Sequence, residues 1–301
     1  MSITVKRENV FFSFSPANQA VVHVKQGDTV RMETHDCFEG QIRSVKDLIT
    51  NLDWDHVNPA TGPVYIEDTH PGDILRVDLL KLDVDSQSCM VVLPGEGTLG
   101  GSIKQLETAI LKSEGDELVF KDKIRVPKHP MIGVIGVSPA QESIPNGTPG
   151  LHGGNMDCTL IGEGSRVYFS VAVEGALFGA GDMHAAMGDG EIVICGAETA
   201  GEIQFNARVV DLKGLPTPFV ETPDLVATIF SAEDVAAAAQ GAIERMADFL
   251  TNIAGLPIND AGMLMSLVGQ IKFCQVVDPL KTVRFEFPKY VLKQFGFEMP
   301  A

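Results

Sequence analysis

Cationic residues are scarce in this chain. Twenty-three Lys and Arg stand against 40 Asp and Glu, a net charge of −17. That deficit argues against nucleic acid as a partner, because neutralising phosphates takes clustered Lys and Arg. It argues equally against anionic membrane surfaces, and on its own it serves solubility. No apolar run approaches the roughly 20 residues of a spanning helix. Residues Met1 to Asn9 lack the apolar stretch and cleavage site of a signal peptide. The five cysteines (37, 89, 158, 195 and 274) form no CxxC pair, which points to reduced thiols and a cytoplasmic protein. No Gly-x-Ser-x-Gly elbow occurs. Gly95-Glu96-Gly97-Thr98-Leu99-Gly100 matches a dinucleotide fingerprint, but the repeated βαβ units it requires are missing.

What the chain has in quantity is glycine and proline, 30 and 17 among 301 residues. They punctuate short runs of Val, Ile, Leu and Phe, the spacing of an all-β sandwich or barrel. The expected fold is therefore mainly β, with a sandwich- or barrel-like domain over residues 1–217. Expected strands include Thr29–Asp36, Ile74–Val84, Met90–Leu93, Arg166–Val173, Ile192–Cys195 and Glu202–Val210. A strand is also expected over Asp157–Ile161. After Pro218 the texture changes, giving a smaller α+β part over residues 218–301. Ser231-Ala232-Glu233-Asp234 reads as a capping box. It precedes apolar positions at Ala238, Ala242, Met246, Phe249 and Ile253, which recur at helical spacing and end near Gly255. Ala261–Val268 reads as a further helix, Ile271–Val277 and Thr282–Phe287 as strands, and Lys289–Phe295 as a last short helix.

Residues 181–191, Gly-Asp-Met-His-Ala-Ala-Met-Gly-Asp-Gly-Glu, carry the strongest functional signal. Asp182, His184, Asp189 and Glu191 stand among glycine, alanine and methionine, where a solvated loop would carry Lys, Ser or Asn. Charges in such a setting need partners or a metal. An ion-paired turn is the alternative, which the lack of Lys or Arg in the segment weakens. On an extended strand Asp182 and His184 share a face, and a bend at Gly188 would return Glu191 toward them. His152-Gly153-Gly154-Asn155-Met156-Asp157 is a glycine-rich approach to two more polar groups, with an Asx-capped turn as its ordinary reading. In Thr29–Asp36, Val30, Met32, Thr34 and Asp36 share the core face, so Asp36 points inward and His35 outward. Imidazole with carboxylates suits zinc and similar first-row metals. Cys158 is a candidate nucleophile, though a lone cysteine there is more often a small buried apolar group. His23, His56, His70 and His129 read as structural, and Trp54 as lining either a surface or a pocket rim.

These segments together resemble the acetamidase/formamidase family. The resemblance rests on Glu33-Thr34-His35-Asp36 with Gly40-Gln41-Ile42, on Pro71-Gly72-Asp73, and on His129-Pro130 with Ile132-Gly133. It rests above all on Gly154-Asn155-Met156-Asp157, and on Gly175-Ala176-Leu177-Phe178 running into Gly181–Ala186 and Gly188–Glu191. Met187 is one departure, at a position where glutamine is common. The resemblance implies hydrolysis of short aliphatic amides, formamide or acetamide, to carboxylate and ammonia. It also implies a β-rich fold with a mixed C-terminal part, and homodimers.

The residues themselves suggest how such a reaction would run. Asp36, Asp157 and His184 are expected metal ligands and Glu191 the general acid/base, with Asn155 holding the amide and Asp182 and Asp189 orienting the ligands or acting as alternatives. Zinc is the first choice, since three protein ligands and an open position are its usual catalytic arrangement. Manganese, iron or an additional calcium at the acidic loop are alternatives. Two other readings compete: a metal-free amidase using Cys158 or an acid pair, and a non-catalytic β protein that binds a small ligand.

Overall fold

The computed structural model describes residues 3–300. It is mainly β, and among the described residues its strands form two large sheets and a small two-stranded one. In the nine-stranded sheet, Gly201–Val210 and Ile74–Val84 pair antiparallel from Gly201↔Val84 to Val210↔Ile74. Their alternation follows the pleat: Ile203, Phe205 and Ala207 are buried, while Glu202, Gln204 and Asn206 are only partly so. Val30–Thr34 pairs on the outer side, with Val30, Met32 and Thr34 inward as expected. The same sheet continues past residue 217. Arg166–Ser170 pairs with Phe219–Glu221, which leads on through Leu225–Ala232 and Lys281–Pro288 to Gln270–Gln275.

The second sheet is built around Phe178–His184, whose seven residues are all buried. Met131–Gly136 lies on one side of it, with Ala60–Ile66 and Glu198–Thr199 along the other. A strand enclosed this completely reads as a continuous apolar run rather than an alternating one, so the charges of Asp182 and His184 in it stand out. The two sheets share one core, in which Met32, Leu75 and Phe205 meet Ile132, Ile135 and Phe178.

Helix Val235–Asp248 turns Ala238, Ala242 and Met246 onto Phe219, Phe285 and Phe287 of the first sheet. Its cap differs from the expected one. Asp234 Oδ1 accepts the Ala237 backbone N–H, 2.9 Å, whereas Ser231 belongs to strand Leu225–Ala232 and pairs its hydroxyl with Thr282. The strand consumes Ser231 before the helix begins, so the nearer acid takes the cap. Helices Ile258–Val268 and Lys289–Gln294 follow near their expected bounds.

Two expected strands are absent among the described residues. Asp157–Ile161 and Ile192–Cys195 are turns. Asp157 has φ +46°, and Glu191 and Ile194 have φ +48° and +106°, conformations that break an extended ladder. Both segments border the site. No helix of the described residues is long and apolar enough to cross a membrane.

Candidate active site

Strand Phe178–His184 sets Asp182 and His184 deep in the second sheet, at 2% and 1% exposure. Beyond it, a loop is closed by two backbone bonds, Ala185 N–H to Ala197 O at 2.8 Å and Ala197 N–H to Ala186 O at 2.9 Å. That loop returns Glu191 inward and brings Glu198 opposite His184 in register. Its tip is anchored to the C-terminal part by Gly190 N–H to Cys274 O, 3.0 Å. On the other side, Gly153–Asn155 pairs with Val134–Gly136 and delivers Asn155. The chain then turns at Asp157, where the Met156 N–H donates to Gly133 O, 3.1 Å.

The acids converge on one imidazole. His184 Nε2 lies 3.2 Å from Glu198 Oε1, 3.6 Å from Asp182 Oδ1 and 3.8 Å from Asp157 Oδ1. Potential ligand atoms of Asp157, His184 and Glu191 lie within 4.8 Å of one another, as do those of Cys37, Asp182 and Glu198. Among the described residues none of these acids is ion-paired to a lysine or arginine. Both Asp157 oxygens, Asp182 Oδ1 and Glu198 Oε2 are buried with no protein hydrogen-bond partner among the described residues. Leaving such oxygens unmatched is costly, and a cation, protons or bound water would satisfy them.

The ionisation follows the crowding. Burial pushes Asp157 and Glu191 far above the carboxylate range, with neighbouring carboxylates adding to it and His184 opposing. Burial raises Glu198 to about 8. For His184 burial disfavours the charged ring, but Glu198 and Asp182 outweigh it and hold its pKa well above the usual value. A divalent cation would replace those protons, and carboxylates with one imidazole are a donor set that fits it.

The backbone is shaped around the same point. Asp157, Asp182 and Glu191 all have left-handed φ, +46°, +53° and +48°, which for non-glycine residues costs on the order of 1–3 kcal/mol each. Eight other non-glycine residues of the described chain share such φ, but these three carboxylates are buried together in one cluster at the cavity. Gly133 sits across from Asp182, and a Cβ there would lie 2.5 Å from Asp157 Oδ1 and 2.8 Å from Asp182 Oδ2. Gly133→Ala is therefore expected to lower divalent-metal affinity by roughly 10–100-fold in a fold that still unfolds cooperatively. Metal titration of the purified variant checks this, and unchanged affinity would detach Gly133 from the centre.

A cavity of about 140 Å³ opens onto this cluster. Asp182, Glu191, Glu198, Asn155 and Asp278 supply its polar wall, and Phe38, Ile49, Val91 and Ile194 lie on its apolar side. Trp54, 59% exposed, is among its lining residues, the rim alternative of the two. The space is well below the 300–1,000 Å³ typical of drug-sized ligands and suits a molecule of a few heavy atoms. Asn155 Nδ2 donates to Asp278 Oδ2, 3.0 Å, and burial raises the Asp278 carboxyl to about 7.

The structure thus brings together Asn155, Asp157, Asp182, His184 and Glu191, and separates Asp36 and Asp189 from them. Asp36 is buried, but the strand ends at Thr34 and Asp36 folds into the following turn. Its Oδ1 accepts the N–H groups of Phe38 and Gly40, both 3.0 Å, with Arg43 3.7 Å from Oδ2. It shapes the turn that presents Cys37 instead of joining either ligand group. Asp189 takes a bidentate ion pair from Arg284, 2.8 Å on both oxygens, and the Thr159 hydroxyl. Burial opposes its charge, and those donors outweigh it and lower its pKa. Its cation arrives from 95 residues away, which local composition could not reveal. Cys158 is wholly buried in the core and does not line the cavity.

Three residues of the site escape sequence reading: Cys37, Glu198 and Asp278. Cys37 directly follows Asp36, so strand alternation would turn it outward, and only the turn after Thr34 brings it to the site. Glu198 stands between the expected strands Ile192–Cys195 and Glu202–Val210, and Asp278 in a connection, with nothing local to mark either.

The Acetamidase/Formamidase family model matches residues 2–146 and 138–288. The chain is 28% identical over 251 residues to the formamidase of Methylophilus methylotrophus, covering 63% of this chain and 61% of that protein. It is 25% identical over 287 residues to the acetamidase of Mycolicibacterium smegmatis, covering 72% and 70%. The chain thus spans about three-fifths of the length of the formamidase it matches. Among solved structures, an acetamidase from Bacillus halodurans superposes with a TM-score of 0.96 at 43% identity, over 98% of this chain and 100% of that one. A predicted acetamidase/formamidase from Thermoanaerobacter tengcongensis gives 0.96 at 41% identity, over 99% of both chains. With a buried carboxylate–histidine centre under a small cavity, and with likeness along nearly its whole length, the chain belongs to the acetamidase/formamidase family.

Proposed function

We propose that the protein hydrolyses short linear amides of the formamide and acetamide type to the carboxylate and ammonia. The observation that carries this is the pairing of a cavity of about 140 Å³ with buried, unpartnered carboxylate oxygens around His184. The small volume selects a small substrate, and the unmatched acids call for a divalent cation. Asp157 and His184 would hold it, with Asp182 and Glu198 beside them. When bound, the cation would polarise the carbonyl and lower the pKa of a water toward about 7. Glu191, on the cavity wall, takes a proton from the attacking water and returns it to the departing nitrogen. Water adds to the carbonyl carbon, the C–N bond breaks, and the nitrogen leaves as ammonia. Asn155 holds the amide in place.

Zinc remains the first candidate. The additional carboxylates at the centre make manganese and iron closer competitors. A separate calcium in the 188–191 loop loses its best ligand, because Asp189 is committed to Arg284. The same reading carries a homodimeric, cytoplasmic enzyme, to which the five free, buried cysteines are suited. The metal-free alternative through Cys158 is disfavoured by that residue's burial away from the cavity lining.

Incubation of the purified protein with a panel of amides tests the reading. Ammonia release from formamide or acetamide is expected, with rates falling as the acyl chain outgrows the cavity. A protein that binds such amides and releases no ammonia would be the non-catalytic binder instead.

A further inference from the structure

One carboxylate on the cavity wall has no part in the chemistry above. Asp278 lies on the connection between strands Gln270–Gln275 and Lys281–Pro288, and it lines the same cavity as Asp182, Glu191 and Glu198. Its position is fixed from several directions. The backbone N–H groups of Val277 and Asp278 both donate to Gln275 Oε1, 3.0 Å each. Gln275 is itself fully buried, and its Nε2 donates to Leu280 O at 2.6 Å and to Thr282 Oγ1 at 3.2 Å. The Lys281 ammonium bonds to the Asp278 carbonyl. The Asn155 amide donates to Oδ2, 3.0 Å, which leaves Oδ1 without a hydrogen bond among the described residues. This is a rigidly held acceptor with one oxygen free.

An amide has two ends. Its carbonyl oxygen needs an electropositive partner, which belongs on the His184 side. Its nitrogen carries N–H donors, which need an acceptor. We propose that Asp278 is the acceptor for the amide nitrogen, with Asn155 as the positioning residue that turns Oδ1 toward it. The inference rests on the amidase reading for its substrate class and adds the subsite that tells an unsubstituted nitrogen from an alkylated one. A nitrogen bearing two methyl groups offers no N–H and sets an apolar group against a partly buried carboxylate. Sites built to bond a substrate N–H reject analogues lacking it by about 10⁴-fold.

The test compares kcat/KM for formamide and N,N-dimethylformamide, both followed by formate release, in wild type and Asp278→Asn. Wild type is expected to prefer formamide by about 10⁴-fold. Asp278→Asn keeps the shape of the wall but turns an amide N–H into the cavity once Asn155 bonds its oxygen. The preference should then shrink at least tenfold, through loss of formamide turnover and with metal content unchanged. An unchanged preference in the isosteric variant would assign the selectivity to size and overturn the proposal. So would a wild-type preference below tenfold, or loss of metal from the variant, which would make Asp278 a ligand. If wild type releases no product from any amide, the amidase reading falls. Acetamide is then a non-reacting ligand, and calorimetry still tests the subsite: weaker binding by Asp278→Asn supports it, and equal or absent binding overturns it.

Discussion

Stripping the protein of divalent metal with a chelator is expected to abolish amide turnover and to make its stability fall as pH rises. The two effects share a cause. Asp157, Glu191 and Glu198 are buried around a single imidazole with no lysine or arginine paired to them among the described residues. Without a cation they stay compatible only by holding protons, which is why burial and mutual repulsion raise Asp157 and Glu191 well above the ordinary range and Glu198 to about 8. An unfolded chain releases those protons near pH 4. Between that pH and the raised native values the folded state binds more protons than the unfolded one, so stability declines with increasing pH. His184, also raised, acts in the same sense: the stability its charge contributes is lost as pH rises through its folded pKa. A bound divalent cation would take over the role of the protons and would add about 2.7 kcal/mol at a hundredfold excess over Kd. Melting temperatures of metal-free and reloaded protein at about pH 5 and pH 8, with ammonia release and metal content measured on the same samples, check both effects. Full turnover after complete metal removal would end the mechanism. A metal-free protein that gains stability toward pH 8 would end the electrostatic account.

Glu191→Gln is expected to cost about 10²–10⁴-fold in kcat, the range of a lost general acid/base, with metal content retained. Glutamine fills the same volume and keeps an acceptor oxygen on the cavity wall, so binding should change less than turnover. Turnover within tenfold of wild type would move the proton-transfer role elsewhere, and Glu198, on the same wall, is the next candidate. Asp157→Ala separates the ligand role from the acid/base role, because lower metal occupancy is expected there and not in Glu191→Gln.

How much of this was legible in advance depended on how local each signal was. The alternation of Val30, Met32 and Thr34 and the spacing of Ala238, Ala242 and Met246 are set by neighbours along the chain, and both elements form where expected. The 181–191 segment could be read because its charges have no local excuse. Where local pattern and backbone conformation disagree, the reading fails. Asp157–Ile161 and Ile192–Cys195 look extended, but left-handed residues turn them, and those turns aim Asp157 and Glu191 inward.

Residue order alone specifies a β-rich, acidic, glycine-punctuated chain with a buried charge cluster near Asp182 and His184, and its likeness to a family of amide hydrolases. Those properties are carried by composition and by contacts a few residues apart. Which acids meet, and which are spoken for, follows from how distant segments pack. Arg284 removes Asp189 from the site, the turn after Thr34 removes Asp36, and sheet pairing brings Glu198 against His184. Each depends on pairing between distant segments or on where a strand stops, and a carboxylate's neighbours in space set its role and its charge.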